Sequence, residues 1–227
     1  MADAPNPGAG DVVAALATTR LVPVVVIEHH EDARPLAAAL AAGGLRCAEI
    51  TFRTDAAEAA LRIMTERAMA EDESLLVGAG TVLTPAQVDR AVAAGARFIV
   101  SPGLSPTVVR HCQGLRVPVF PGVATATEIQ AALEEGLDIV KFFPAEPLGG
   151  VAMVSALAAP FTGVRFIPTG GISATQLAGY LAHRSVLAVG GSWMVAPKLM
   201  AAGAWDEITR LTAEAVSMVA PPVREKG

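Results

Sequence analysis

The sequence predicts an α/β protein, a (β/α)8 TIM barrel with an extra N-terminal helix. Three observations favour this fold: eight short β-type runs, a helical segment rich in alanine or leucine after each run, and glycine or polar residues where each run ends. A length of 227 residues suits one domain of this kind, and no linker divides the chain. We therefore expect a single domain over residues 1–227, with residues 1–10 and 221–227 loose.

The eight runs are apolar and short, as expected for buried parallel strands. A short helix over residues 11–18 is predicted before the first run, and a final amphipathic helix over residues 205–219. Between them, helix-start signals occur at Asp55, Thr84, Ser105, Thr125 and Ser173. The runs are Val22–Ile27, Ala48–Phe52, Leu75–Ala79, Phe98–Ser101, Val117–Phe120, Ile139–Phe143, Arg165–Pro168 and Leu187–Val189.

Composition argues against several classes of protein. Hydrophobic residues make up 52% of the chain, but no apolar run approaches the roughly 18 residues that cross a bilayer. The N-terminus lacks the basic head and hydrophobic segment of a signal peptide, so we expect a cytoplasmic protein. A formal net charge of −5 without basic clusters argues against a nucleic-acid surface. Neither a membrane nor a nucleic acid is expected as a partner.

The cysteines and histidines do not form a recognisable metal set. Cys47 and Cys112 lie far apart and have no histidines at ligand spacing, so we interpret them as small core residues. The four histidines are interpreted as surface or hydrogen-bonded side chains instead of ligands. The sequence therefore predicts neither a metal nor another cofactor.

Lys141 lies inside an apolar run, Ile139–Phe143, that is typical of a buried strand. The chain has only two other lysines, Lys198 and Lys226, and neither lies in a strand-like run. Burying an ammonium without a partner is costly, so we expect Lys141 to favour the neutral amine, which is a nucleophile toward carbonyls. The alternative is that the side chain extends to the end of the strand and pairs with a carboxylate.

Strand alternation brings two further charged residues toward that lysine. Glu49, Thr51 and Arg53 share one face, which we expect to point into the barrel, while the intervening apolar residues meet the helices. In a barrel mouth, Lys141 would attack a ketone, Arg53 would bind a carboxylate through two hydrogen bonds, and Glu49 would move protons. These groups suit a 2-keto acid, and the alternative is an internal salt-bridge network.

Two glycine pairs follow the seventh and eighth strands. They are Gly170-Gly171 and Gly190-Gly191, the second of which is followed by Ser192. Glycine lets backbone amides approach a ligand closely, and a following helix N-terminus favours an anion. Because loops at these two places frequently hold phosphate in barrels, the pairs favour a phosphate site over simple tight turns.

Five segments of the sequence occur in the same order as in one known family. They are residues 42–54 (AGGLRCAEITFRT), 77–82 (VGAGTV), 140–146 (VKFFPAE), 166–172 (FIPTGGI) and 189–193 (VGGSW). Together they closely resemble the bacterial 2-keto-3-deoxy-6-phosphogluconate (KDPG/KHG) aldolases, and the resemblance covers nearly the whole chain.

The resemblance implies a class I aldolase of the Entner-Doudoroff pathway, a homotrimer without a metal. Such an enzyme cleaves a phosphorylated 2-keto acid, 2-dehydro-3-deoxy-6-phosphogluconate, to pyruvate and glyceraldehyde 3-phosphate. The resemblance also implies that Lys141 is the Schiff-base lysine and Glu49 the proton-shuttling glutamate. The implied substrate-binding residues are Arg53 and Thr81 for pyruvate, Phe143 as a pocket aromatic, Thr169 for preference at C4, and Gly170, Gly171, Gly191 and Ser192 for phosphate.

Two other functions remain open. A 4-hydroxy-2-oxoglutarate aldolase would use the same lysine on a substrate with a carboxylate in place of the phosphate. A barrel that binds or isomerises a phosphorylated sugar without a covalent step would need only the glycine pairs. Rates on the two keto acids distinguish the first alternative, and replacement of Lys141 by methionine distinguishes the second.

Overall fold

Residues 9–70 and 75–219 are described by the computed structural model. All strand pairs within these residues are parallel, and a helix lies between successive strands along the chain except between residues 119–120 and 122–123. The strands are β1 (Leu21–Val25), β2 (Cys47–Thr51), β3 (Leu76–Gly80), β4 (Ile99–Val100), β5 (Val119–Phe120), β6 (Gly122–Val123), β7 (Ile139–Phe142), β8 (Arg165–Pro168) and β9 (Val189–Gly191).

The α-helices from Ala33 onward pack into the large hydrophobic cluster on one face of the strands, and 3-10 turns lie over His30–Asp32, Glu146–Leu148 and Trp193–Val195. None of the helices within the described ranges is long and apolar enough to span a membrane. The α-helices are α1 (Ala9–Thr19), α2 (Ala33–Ala42), α3 (Ala57–Ala70), α4 (Pro85–Ala93), α5 (Pro106–Gly114), α6 (Ala126–Glu134), α7 (Gly150–Ala158), α8 (Ala174–Leu181), α9 (Pro197–Ala201) and α10 (Trp205–Ser217).

The strands pair in two parallel sheets, of order β5-β4-β3-β2-β1-β9 and β6-β7-β8. Pro121 separates β5 from β6, so one extended segment contributes to both sheets; proline has no N–H to donate to a ladder. At the other side, Thr169 after β8 forms an isolated parallel bridge with Gly190 of β9. The fifth predicted strand therefore does not end at Phe120 but continues past the proline.

Side-chain alternation separates two packing faces of the strands. In β2, Ala48 and Ile50 belong to the large cluster that includes the helices. Cys47 faces the other way, into a second cluster formed by strand residues together with Val12 and Leu16 of α1. Both cysteines are buried and unpaired, as predicted for core residues. Burial, and to a lesser extent the carboxylate two residues further on, raises the pKa of the Cys47 thiol well above its usual range.

Four predicted helix starts, at Thr84, Ser105, Thr125 and Ser173, are N-caps, whereas the helix expected at Asp55 begins at Ala57. The hydroxyls of Thr84, Ser105 and Thr125 each accept a hydrogen bond from the backbone N–H three residues on, at 3.2, 3.5 and 3.3 Å. Thr125 also forms a capping box with Glu128. At the chain ends, residues 9 and 10 lie in the first turn of α1, and the other residues expected to be loose, 1–8 and 221–227, lie outside the described residues.

Candidate active site

Lys141 and Glu49 form an ion pair in the interior of the fold. The Lys141 Nζ atom lies 3.3 Å from Glu49 Oε1, and the two side chains are 7% and 4% exposed. Lys141 comes from β7 and Glu49 from β2, so their contact spans the space between strands that do not pair with each other. The approach of Glu49 to Lys141 predicted from alternation is confirmed. Pairing of Lys141 with a carboxylate is the alternative that the sequence left open beside the neutral amine.

Gly80, at the end of β3, provides the space for the Glu49 carboxylate. Gly80 is the register partner of Thr51 in β2, which lies two residues after Glu49 and on the same face of the strand. A Cβ atom built on Gly80 would lie 2.0 Å from Glu49 Oε1, far inside van der Waals contact. Only glycine at this position leaves the carboxylate where it meets Lys141. Sequence reasoning included Gly80 in a motif but missed this contact, since the contact depends on strand register.

Arg53 and Thr81 lie together beyond the ends of β2 and β3. The Nε–H group of Arg53 donates a hydrogen bond to Thr81 Oγ1 at 3.2 Å. Thr81 has a φ of 56°, which lies in the left-handed region that β-branched residues rarely adopt. This backbone conformation turns the hydroxyl toward the guanidinium, so Thr81 helps to orient Arg53.

A cavity of about 380 Å³ has Phe143 in its lining but neither Lys141 nor Glu49, which line a separate small space. Phe143 connects the cavity with the ion pair, because its ring centroid is 5.3 Å from Lys141 Nζ and its side chain lines the cavity. Seven of the predicted substrate-binding residues are among the lining residues: Arg53, Phe143, Thr169, Gly170, Gly171, Gly191 and Ser192. Gly190, from the second predicted glycine pair, also lines the cavity, and the four other lining residues were not predicted: Val24, Val26, Ile172 and Pro197. Alternation along the first strand was not used but could have indicated Val24 and Val26, whereas no local signal points to Pro197.

The glycine pairs bring backbone close to this cavity. Gly170 and Gly171 have φ values of +107° and +80°, which favour glycine. A Cβ at Gly190 would lie 2.3 Å from Thr169 Oγ1, so the absence of a side chain there makes room for the threonine. Helix α8 begins directly after this segment. Backbone amides and a helix start beside a cavity favour a bound anion.

Glu146 links the segment after β7 to helix α8. Its carboxylate accepts hydrogen bonds from the Tyr180 hydroxyl and from Gln176 Nε2. Burial, together with the bond to Glu146, raises the pKa of Tyr180 above its ordinary value. Sequence reasoning quoted Glu146 and Gln176 only within motifs and missed Tyr180. The sequence signal for this contact was weak, because the residues are 30 and 34 positions apart.

The arrangement can support covalent carbonyl chemistry with proton transfer. A buried amine and a carboxylate in contact can form an imine and move protons during its formation. Arg53 and the glycine segments offer two places for anionic groups. Over residues 9–70 and 75–219, no group of three or more His, Cys, Asp or Glu side chains is placed to hold a metal ion. The fold and site define the class of lysine-dependent lyases.

Comparison with known proteins identifies the family. The profile described as KDPG and KHG aldolase matches residues 12–211. The chain is 56% identical over 206 residues to the 2-dehydro-3-deoxy-phosphogluconate aldolase of Treponema pallidum, which covers 90% of this chain and 96% of the relative. This protein belongs to the KDPG and KHG aldolase family.

Two solved structures share the fold over most of their length. One is the KDPG aldolase of Legionella pneumophila with pyruvate captured as a covalent carbinolamine intermediate. It has a TM-score of 0.85 and 40% identity, covering 89% of this chain and 97% of that chain. The other is the 2-keto-3-deoxy-6-phosphogluconate aldolase of Zymomonas mobilis with 3-phosphoglycerate. It has a TM-score of 0.83 and 41% identity, covering 92% of this chain and 96% of that chain. The family predicted from the sequence is thereby confirmed.

Proposed function

We propose that this protein is a class I aldolase of the Entner-Doudoroff pathway. It cleaves 2-dehydro-3-deoxy-6-phosphogluconate to pyruvate and glyceraldehyde 3-phosphate through a Schiff base on Lys141. The observation that carries the proposal is the buried contact of 3.3 Å between Lys141 Nζ and Glu49 Oε1, which Phe143 connects with the cavity. The pyruvate carbinolamine captured in the Legionella enzyme supports the covalent step.

The cavity provides a suitable group for each end of this substrate. The carboxylate end is assigned to Arg53, oriented by Thr81, because a guanidinium binds a carboxylate through two parallel hydrogen bonds. The phosphate end is assigned to Gly170 and Gly171 together with Gly191 and Ser192, where backbone amides and the start of α8 favour an anion.

The middle of the substrate is assigned to two side chains between these ends. Phe143 lies beside the amine and would pack against the reacting carbons. Thr169, which lines the cavity between the glycine pairs, is assigned to recognition of the C4 hydroxyl.

The first half of the reaction forms the iminium ion. Glu49 accepts a proton from Lys141, and the free amine adds to the C2 ketone to give a carbinolamine. Glu49 then returns a proton to the departing hydroxyl, and water leaves. The carboxylate contact of 3.3 Å allows the same group to accept and return the proton.

The second half breaks the bond between C3 and C4. Glu49 removes the proton of the C4 hydroxyl, directly or through a water molecule. The electrons of the C3–C4 bond then move into the iminium, which releases glyceraldehyde 3-phosphate and leaves the enamine of pyruvate. Protonation of the enamine at C3 and hydrolysis of the resulting iminium free pyruvate and Lys141. Every proton is returned, and no oxidant or reductant is required.

A second activity is proposed on the same residues. The family description includes KHG aldolase, and 4-hydroxy-2-oxoglutarate carries a carboxylate where the first substrate carries its phosphate. The amide-rich segments near Gly171 and Gly191 can accept either anion. The ratio of kcat/KM for the two substrates decides which is preferred.

Borohydride reduction in the presence of pyruvate tests the covalent step. We expect one reduced pyruvyl group on the peptide that contains Lys141, with loss of aldolase activity. Lys141→Met is expected to abolish both labelling and cleavage, whereas Lys198→Met, in helix α9, is expected to leave both unchanged. Labelling elsewhere, or cleavage of the substrate by Lys141→Met, would exclude the Schiff-base mechanism and favour a non-covalent function.

We further propose that the two sheets are parts of one closed (β/α)8 barrel, forming a single domain over residues 1–227. The shared segment around Pro121 at one junction and the bridge between Thr169 and Gly190 at the other support closure. Val12 and Leu16 of α1 pack into the inner cluster and would cover the bottom of the barrel. We also propose a cytoplasmic homotrimer, and sedimentation equilibrium tests the trimer through a mass of three chains.

A further inference from the structure

The geometry points to Glu146 as a positioning residue. We propose that its side chain holds the Gly170-Gly171 turn at a set distance from Lys141 and so determines how well the phosphate end of the substrate is bound. This inference rests on the proposed function, because it assigns the turn to phosphate and Lys141 to the imine. Glu146 itself does not line the described cavity.

The backbone after β7 already holds the first half of the turn. The N–H of Ala145 donates to Thr169 O at 2.8 Å, and the N–H of Glu146 donates to Gly170 O at 3.0 Å. These bonds continue the pairing of β7 and β8 beyond the strand ends. The segment that begins the turn is therefore attached to residues only four or five positions after Lys141.

The Glu146 carboxylate holds the second half of the turn through Gln176. The side-chain amide of Gln176 donates through Nε2 to Glu146 and accepts through Oε1 from the backbone N–H of Ser173 at 2.9 Å. The Ser173 hydroxyl also donates to the same Oε1, at 2.7 Å. Because both ends of the Gln176 amide are used, its orientation is determined, and Ser173 at the end of the turn is connected to Glu146.

Tyr180 adds a second connection one turn further along α8. Its hydroxyl donates to Glu146 Oε1, while Gln176 donates to Oε2, so both carboxylate oxygens bind the same helix. The Glu146 side chain also packs directly against the turn, because a Cβ built on Gly171 would lie 2.9 Å from Glu146 Cβ. The turn is thus held at its start by backbone hydrogen bonds, at its end through Gln176, and in between by packing of the Glu146 side chain against Gly171.

A carboxylate suits this position because it is acceptor-only and has two oxygens for two donors. In Glu146→Gln, one oxygen remains for Tyr180, but the new amide N–H groups face the Nε2 donor of Gln176. One of the two connections is therefore lost, whereas Glu146→Ala loses both. Tyr180→Phe removes the other connection alone and keeps the aromatic ring in the core.

The experiment measures two steps that depend on different parts of the site. Steady-state kinetics give KM and kcat for the phosphorylated substrate, and borohydride trapping gives the rate of imine formation with pyruvate, which has no phosphate. For Glu146→Ala we expect KM to rise roughly tenfold or more, and for Glu146→Gln and Tyr180→Phe a smaller rise. Inhibition by inorganic phosphate should weaken in the same order. Pyruvate trapping should stay within about twofold of the parent protein in all three variants.

Glu135→Ala is the matched control, because Glu135 also uses both carboxylate oxygens, to bind Arg110. It joins α5 and α6 away from the cavity, and we expect unchanged KM and trapping.

Equal loss of cleavage and trapping in the Glu146 variants would indicate general destabilisation and overturn the proposal. An unchanged or lower KM would also overturn it, since removing a negative charge alone should favour phosphate. If Glu146→Ala does not fold, Glu146→Gln and Tyr180→Phe decide the question. Absence of trapping in the parent protein would instead reject the proposed function.

Discussion

Glu49 and Lys141 are 92 positions apart in the sequence, yet Glu49 Oε1 and Lys141 Nζ lie 3.3 Å apart in the buried interior of the fold. A buried ion pair of this kind adds little to stability in general, because desolvation opposes the attraction between the charges. In the proposed mechanism its value is chemical, since it places Glu49, which acts in turn as base and as acid, next to the nitrogen that forms the imine. The predictions below test this placement and the groups that support it.

Glu49→Gln should separate proton transfer from binding. The amide keeps the size of the side chain but cannot act as a base, so kcat should fall by roughly 10²- to 10⁴-fold. Borohydride trapping with pyruvate should still label Lys141, though more slowly. Glu58→Gln, at a surface ion pair with Arg62 and Arg90, is the control and should have the parent kcat. A parent-like kcat in Glu49→Gln would remove Glu49 from the mechanism.

Gly80→Ala should reduce both activity and stability. The added methyl group would lie 2.0 Å from Glu49 Oε1 and 2.6 Å from its Cδ and Cγ atoms, so the buried side chain has to shift. Breaking a buried ion pair leaves two uncompensated charges and lowers the free energy of unfolding. The carboxylate then leaves Lys141, so kcat should fall by about tenfold or more. Thermal unfolding and kcat measure the two effects. Gly114→Ala is the control, since a Cβ at Gly114 has no atom within 4 Å, and a similar loss there would contradict the explanation.

Arg53→Lys should weaken binding of the keto acid. Lysine keeps the charge but loses the planar pair of donors and the Nε–H bond to Thr81. KM for pyruvate in the trapping assay should rise by roughly 10-fold, the usual cost of a lost hydrogen bond to a charged group. Arg62→Lys on the surface should leave this KM unchanged. An Arg53→Lys enzyme with the parent KM would show that the carboxylate is bound elsewhere.

Thr125→Ala should lower stability without affecting chemistry. The change removes the hydroxyl that caps α6 and its bond with Glu128. Loss of such a cap costs about 1 kcal/mol, which corresponds to a drop in Tm of roughly 2–4 °C for a protein of this size. Differential scanning calorimetry measures Tm. Thr18→Ala, within α1, removes a threonine that caps no helix start and is expected to keep the parent Tm.

Several features of the fold could be predicted because they depend on local sequence. The alternation in β2 placed Glu49 on the face opposite Ala48, which lies in the cluster that contacts the helices. The caps at Thr84, Ser105 and Thr125 were predicted because a short polar side chain satisfies the N–H groups of the next helical turn. The strand around Pro121 was predicted only in part, since its continuation depends on β7, with which it pairs.

By itself, the sequence determined the order of strands and helices, the faces of the strands, and the family to which the chain belongs. These properties depend on side-chain periodicity and on motifs a few residues long. The tertiary structure decided the distance of 3.3 Å between Lys141 Nζ and Glu49 Oε1, that Gly80 makes room for this carboxylate, and that Glu146 joins the glycine turn to Gln176 and Tyr180. Each of these contacts depends on strand register and helix packing, which bring together residues that are distant in the chain.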